Sequence, residues 1–321
     1  MKAIVQARYG PPAEVLSLAD IEKPTVKDEE VLVRVRAASV NALDWRVIKA
    51  DPFIVRTGGL RRPKQPVPGV DAAGVVEEVG QDVTHLSPGD EVFGIGKGSF
   101  AEYTVGSHFA PKPANLTFDE AAALPVAGIT ALQSVRDLAH VEPGRKVLVN
   151  GAGGGVGTFT VQIAKAFGAH VTATTTTENV DLIGSLGADH VIDHTYEDFT
   201  AQDARYDAIF EVGRDLKLSD VRDALTPSGK LIYVGAGSGF GGPVGRLVFA
   251  TVGGKVFRQP LVALISKESV EDLVTIKDLV EAGKLKPVID STHPLRETAR
   301  AVSLLETGHP QGKVVISIAP D

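Results

Sequence analysis

The chain has 321 residues, of which 43% are apolar and 23% charged, and a formal net charge of -7 at pH 7. That is an ordinary soluble composition, long enough for two domains or one large one, and it offers no basic surface to a nucleic-acid backbone. The absence of cysteine excludes disulfides, thiolate zinc sites, iron–sulfur clusters and cysteine nucleophiles. No apolar run approaches membrane-spanning length and "MKAIVQARYG" opens on a strand pattern without a signal sequence, so no membrane partner and a cytoplasmic location are expected.

In chain order, the first elements are short strands broken by turn residues: "KAIVQA" (2–7), "EVLVRVRAASV" (30–40), "AAGVVEEVG" (72–80), "DEVFGIG" (90–96) and "AEYTVG" (101–106), with "LSPGD" as a turn. A helical pattern follows over 117–139. Thr117 is the predicted N-cap, with Glu120 three residues on as the partner in a capping box.

From Lys146 the pattern changes to β–α alternation. Strand "KVLVNG" (146–151) leads into a helix over 156–168 closed by Gly168, then strand "HVTATT" (170–175), a helix over 178–187 closed by Gly187, and strand "HVIDH" (190–194). Strand 206–212, helix 218–225 and strand 229–236 continue the series, which predicts an α/β fold with a doubly wound parallel sheet. A glycine-rich stretch (237–246), an apolar patch (247–257) and a possible last strand (260–266) come next. Helix 269–283, strand 287–290, helix 295–308 and strand 312–318 end the chain, and the last strand is expected to complete the N-terminal sheet. The α/β part is then an insertion.

The turn "NGAGGGVGT" joins a buried strand to a helix. Glycine there lets the backbone approach a pyrophosphate while the helix N-terminus points its N–H groups at the anion. The strict G-x-G-x-x-G spacing does not fit, and no Walker sequence is present. The second strand also lacks the acid that would bind the ribose 2'-hydroxyl of NAD; it ends in Thr174, Thr175, Thr176 and Thr177, whose hydroxyls can donate to a 2'-phosphate. NADPH is therefore the expected cofactor, with NADH possible because Glu178 follows.

The blocks "ASVNALDWRV" (38–47), "PVPGVDAAGVVEEVG" (66–80), "AALPVAGITALQ" (122–133), the glycine turn, "LGADHVID" (186–193) and "GKVVISI" span nearly the whole chain. Through them the chain resembles the zinc-independent medium-chain dehydrogenases/reductases, the quinone oxidoreductase-like or enone reductase group. The resemblance implies a GroES-like β-rich catalytic domain (1–125 plus 267–321) and a Rossmann cofactor domain (126–266). Its glycine motif, [AG]-x-x-G-x-x-G, is matched by Gly151, Gly154 and Gly157, with Gly155 and Val156 in the same turn. Zinc-dependent relatives have a cysteine near position 41 and Gly-His-Glu later; this chain has Asn41 and Gly69-Val70-Asp71, so no metal is expected. His190 and His194 do not change this, since four residues along a strand separate them by about 13 Å.

By the same resemblance, residues 41–46 face nicotinamide and substrate. Asn41 is the candidate donor to a substrate carbonyl and Asp44 a candidate for ordering the nicotinamide side; both also suit helix caps. Thr130, Thr175, Thr176, Val234, Gly235 and Ala236 are the further cofactor candidates, and Trp45 suits core packing better than stacking. Many relatives carry Arg or Lys in place of Glu178 and Tyr in place of His194, so a protonated His194 is a candidate partner for the 2'-phosphate. The expected reaction is hydride transfer to a quinone or α,β-unsaturated carbonyl, with the proton from water or a tyrosine. Zinc-free alcohol, carbonyl or enoyl-thioester chemistry, or a non-catalytic NADPH sensor, are the alternatives. The segment 242–257 reads equally as a lid or a dimer surface, and a homodimer is expected.

Overall fold

The alternation of "KAIVQA" buries Ala3, Ile4 and Gln6 and forms β1 (Lys2–Gln6). After a short helix, α1 (Pro12–Val15), β1 pairs antiparallel with β2 (Leu16–Asp20). The structure, a computed structural model, describes all residues except 52–58, 60, 61, 202, 214–217, 235–259, 265, 308, 309 and 319–321. The chain divides into one unit of Met1–Ala127, Glu268–Ala282 and Pro287–Asp321, and a second of Gly128–Lys267 and Gly283–Lys286.

In the first unit, β3 (Val31–Val40) runs into α2 (Ala42–Lys49), and β4 (Asp71–Val79), β5 (Glu91–Lys97) and β6 (Tyr103–Pro111) follow. Each of β4, β5 and β6 pairs antiparallel with its predecessor, and β6 returns to β3, so the four strands close on themselves. The enclosed core is built on Val33, Val35, Val76, Phe100 and Phe109. Each fully buried phenylalanine contributes about 1.5–3 kcal/mol relative to exposure.

The helical pattern over 117–139 is broken into α3 (Phe118–Ala122), α4 (Pro125–Gln133) and a π-helical stretch, Ser134–Ala139. The Thr117–Glu120 capping box is present: Glu120 N–H donates to Thr117 Oγ1 at 3.3 Å and Thr117 N–H to Glu120 Oε2 at 2.8 Å. Pro125 explains the break. It has no N–H to continue the ladder of α3 but suits the first position of a new helix.

The second unit contains β7 (Lys146–Asn150), α5 (Gly155–Ala166), β8 (His170–Thr175), α6 (Val180–Ser185), β9 (His190–Asp193), β10 (Tyr206–Glu211), α7 (Leu218–Ala224), β11 (Leu225–Tyr233) and β12 (Leu261–Ala263). All strand pairs are parallel, in the order β12-β11-β10-β7-β8-β9. This is the doubly wound order whose reversal, between β7 and β10, places ligands at the carboxyl edge of the strands. The strands of this sheet bury Val147, Leu148, Val149, Val171, Ile209 and Phe210, as apolar strands covered on both faces must.

The chain then returns to the first unit as α8 (Val270–Glu281), β13 (Ile289–Pro294), α9 (Thr298–Thr307) and β14 (Lys313–Ser317). β14 pairs antiparallel with β3 and parallel with β13, which extends the N-terminal sheet as expected. Among the described residues no helix is long and apolar enough to cross a membrane.

Candidate active site

Three chain directions converge at one edge of the first unit. Since β3 is antiparallel to both β4 and β14, the end of β3 lies beside the starts of the other two: Ser39 is opposite Asp71, and Val40 is opposite Val314. This register brings Ser39, Asn41, Asp71 and Lys313 together, and all four are buried.

Asp71 is fully enclosed, with 0% of its surface exposed. Its Oδ2 accepts from Ser39 Oγ at 2.8 Å, Asn41 Nδ2 at 2.9 Å and Lys313 Nζ at 3.3 Å, and its Oδ1 from Val126 N–H at 3.0 Å. The Lys313 ammonium also donates to Asn41 Oδ1 at 2.6 Å and to the Val40 carbonyl at 3.1 Å. An ammonium only donates and a carboxylate only accepts, so the Asn41 amide has one possible orientation: oxygen on Lys313, nitrogen on Asp71. Such a pair keeps its place through these added hydrogen bonds, and removal of one partner from a buried pair costs roughly 3–5 kcal/mol.

Asn41 also starts α2. Its backbone is extended (φ -114°, ψ 155°), and its N–H donates to Asp44 Oδ2 at 2.6 Å. Asp44 is buried, and its carboxyl is pushed up from 3.8 to about 7. Burial is the main cause and the nearby Asp71 charge adds to it, against the lowering effects of the Asn41 N–H and of Lys313. Trp45 lies against the apolar core of the unit, with the Arg46 guanidinium 4.7 Å from its ring centre.

In the second unit the three glycines of the turn differ in what surrounds them. Gly151 has φ +88°, and a Cβ on it would lie 2.8 Å from Gly213 N. On Gly157 a Cβ would lie 2.3 Å from the Gly151 carbonyl oxygen, so its lack of a side chain is what lets α5 sit close on the turn. Gly154, the N-cap of α5, has no side-chain cap, and a Cβ there would meet nothing within 4 Å. The first turn of α5, with Gly155 and Val156, thus presents an uncapped N-terminus whose N–H groups have no side-chain partner at the N-cap.

A hydrogen-bonded chain below this turn is not evident from the sequence. Gly151 N–H donates to Thr174 Oγ1 at 3.2 Å, that hydroxyl donates to Asn150 Oδ1 at 2.6 Å, and Asn150 Nδ2 donates to Glu211 Oε2 at 2.8 Å. These residues occupy the carboxyl ends of β7, β8 and β10, which the parallel register places side by side. Thr174 is therefore committed to holding the turn, and Thr175 and Thr176 remain at the end of β8.

Thr175 is buried and Thr176 half-buried. Asn179, buried next to them, donates from Nδ2 to Thr176 Oγ1 at 3.1 Å. Glu178 is exposed, and Thr177 Oγ1 donates to Asp193 Oδ2 at 2.5 Å, which holds that carboxyl below its usual range. His194 is half-buried, and its backbone N–H donates to the Thr175 carbonyl at 3.0 Å. Thr130 is buried on α4, and Val234, the residue after β11, donates its N–H to the Glu211 carbonyl at 2.9 Å. Gly235, Ala236 and the segment 242–257 lie outside the described residues. Among the described residues no three His, Asp or Glu side chains group as a metal site requires.

A protein-family profile described as "Alcohol dehydrogenase GroES-like domain" matches residues 27–113, and one described as "Zinc-binding dehydrogenase" matches residues 186–316. Over 334 residues the chain is 34% identical to the "Chloroplast envelope quinone oxidoreductase homolog" of Arabidopsis thaliana, covering 98% of both chains. It is 35% identical over 341 residues to the "NADPH-dependent alkenal/one oxidoreductase, chloroplastic" of the same plant, covering 100% of this chain and 80% of that protein. Among solved structures, the quinone oxidoreductase from Coxiella burnetii matches with a TM-score of 0.85 at 31% identity, covering 99% of both chains.

Proposed function

The chain belongs to the medium-chain dehydrogenase/reductase family and is an NAD(P)H-type oxidoreductase; from that premise we propose that it reduces quinones or α,β-unsaturated carbonyl compounds, with NADPH, without zinc. The observation that carries the proposal is the Asn41 amide, held by Lys313 and Asp71 at a position where zinc-dependent relatives have a thiolate ligand.

The residues present do not fit the zinc named in one family description. There is no cysteine in the chain, the Asp71 carboxylate is taken up by four donors, and the cation beside it is the Lys313 ammonium. A dehydrogenase that oxidises alcohols through a metal has no equivalent here. A quinone or enone needs none, because the negative charge produced by reduction is delocalised onto its oxygen.

When bound, NADPH would supply the hydride. Gly151, Gly154, Gly155, Val156 and Gly157 would hold the pyrophosphate of the dinucleotide, Thr130 and Val234 its nicotinamide half, and Thr175, Thr176 and His194 its adenosine end. Asn41 donates to the substrate oxygen as charge collects there, and Asp44 fixes the first turn of α2 behind it. The test is NADPH consumption with quinones, enones, aldehydes, enoyl thioesters and primary alcohols with NADP⁺. Turnover confined to quinones and enones, unchanged by a chelator, is the expected result; alcohol oxidation lost on chelation would overturn the reading.

The preference for NADPH rests on the absence of an acid at the end of β8, with Glu178 and Asp193 weakening it. The half-buried His194, just past the end of β9, lies beside Thr175 and reaches the 2'-phosphate side of the site. His194→Ala is therefore expected to weaken the binding of NADPH more than that of NADH. Fluorescence titration with both cofactors checks this. Equal NADPH affinities for the two proteins would remove His194 from cofactor selection.

A further inference from the structure

We infer that Lys313 is a positioning residue for the reduction, acting through Asn41: it orients the amide, polarises it, and neutralises Asp71 beside the oxygen that becomes negative. The inference rests on the reading of Asn41 as the donor to that oxygen.

The geometry separates this role from direct contact with substrate. An ammonium has three hydrogens, and those of Lys313 are matched by the Val40 carbonyl, Asn41 Oδ1 and Asp71 Oδ2, at 3.1, 2.6 and 3.3 Å. With 4% of its surface exposed, the side chain has no donor left for a ligand. The shortest of the three bonds ends on the amide oxygen of Asn41. A cation there draws electron density from the amide and strengthens its N–H groups as donors.

Asp71 completes the clamp from the other side. One Nδ2 hydrogen of Asn41 is spent on Asp71 Oδ2, and the second has no partner among the described residues. Without Lys313, the amide can turn over and present its oxygen where a donor is required. The buried Asp71 carboxylate would also be left uncompensated, raising the cost of negative charge on the substrate. Both effects weaken charge stabilisation in the transition state, so both act on kcat.

The test is steady-state reduction of an alkyl vinyl ketone by NADPH with Lys313→Arg, made in the native background and in Asn41→Ala. Arginine keeps the charge but does not reproduce the three-way contact of an ammonium. In the native background a fall in kcat of about tenfold or more is expected, with NADPH affinity unchanged; in Asn41→Ala the same substitution is expected to change kcat by less than about twofold. Lys313→Met combined with Asp71→Asn removes both charges together and serves as the second variant if Lys313→Arg does not fold; the same coupling with Asn41→Ala is expected. A folded variant with unchanged kcat, or an equal loss in both backgrounds, overturns the inference for Lys313. An unchanged rate in Asn41→Ala alone instead removes Asn41, and the role of Lys313 with it.

Discussion

Asp44→Asn is expected to stabilise the protein at about pH 8 and to leave it nearly unchanged at about pH 4, the opposite of the usual effect of losing a helix-capping carboxylate. The reason is the elevated Asp44 carboxyl, near 7 in the folded protein against 3.8 for an exposed aspartate, caused first by burial and then by the Asp71 charge. Between those values the folded chain holds a proton that the unfolded chain has released. Stability therefore falls as pH rises from about 4 to about 7, by roughly 4 kcal/mol in all, and stays at that lower level above. Asparagine does not titrate, and its carbonyl can still accept from the N–H of Asn41. Thermal melts of both proteins across this range should show the advantage of the variant growing with pH and levelling above neutrality. Parallel curves would mean that Asp44 is ionised throughout and that its burial is compensated in some other way.

The parts of the fold that repeat a local rule are legible in the sequence. Apolar strands separated by helices give the parallel sheet, Thr117 and Glu120 give the start of α3, and the spacing of Gly151, Gly154 and Gly157 gives the tight turn from β7 into α5. The break before α4 escaped the sequence reading, because the run of alanines around Pro125 reads as continuous helix although the proline has no N–H to continue it. Lys313 was not legible, because a lysine opening an apolar strand reads as a solvated strand end. Only the pairing of β14 with β3 brings it to Asn41, 272 residues away in sequence. Asp71 showed itself only as a departure from a zinc-site pattern, since its four donors come from β3, the N-cap of α2, α4 and β14. Likewise, Thr174 looked like one of four equivalent threonines until the register of β7 and β8 set it under the Gly151 N–H. What escapes the sequence is thus pairing between distant segments, which assigns partners to polar residues that local pattern treats as interchangeable.

Asn41→Ala is expected to lower kcat/KM for an enone by about tenfold at least, and by as much as 10²–10³ if its amide acts as a single oxyanion donor commonly does. The hydrogen bond strengthens as charge moves onto the substrate oxygen, so the loss should fall on kcat and kcat/KM alike, not on KM alone. NADPH affinity should not change, because the residues assigned to the cofactor lie in the second unit. Alanine also leaves Asp71 and Lys313 paired with each other, with their bonds to Ser39, Val126 and Val40 in place. Most of the effect then belongs to the amide itself. Asn41→Asp separates donation from shape: it is nearly isosteric and keeps an acceptor for Lys313, but replaces the donor with negative charge next to Asp71. It should be at least as slow as the alanine variant, and slowest at high pH, where the new carboxyl is ionised. If alanine leaves kcat/KM unchanged, Asn41 is a structural cap and the donor to the substrate oxygen must be sought elsewhere.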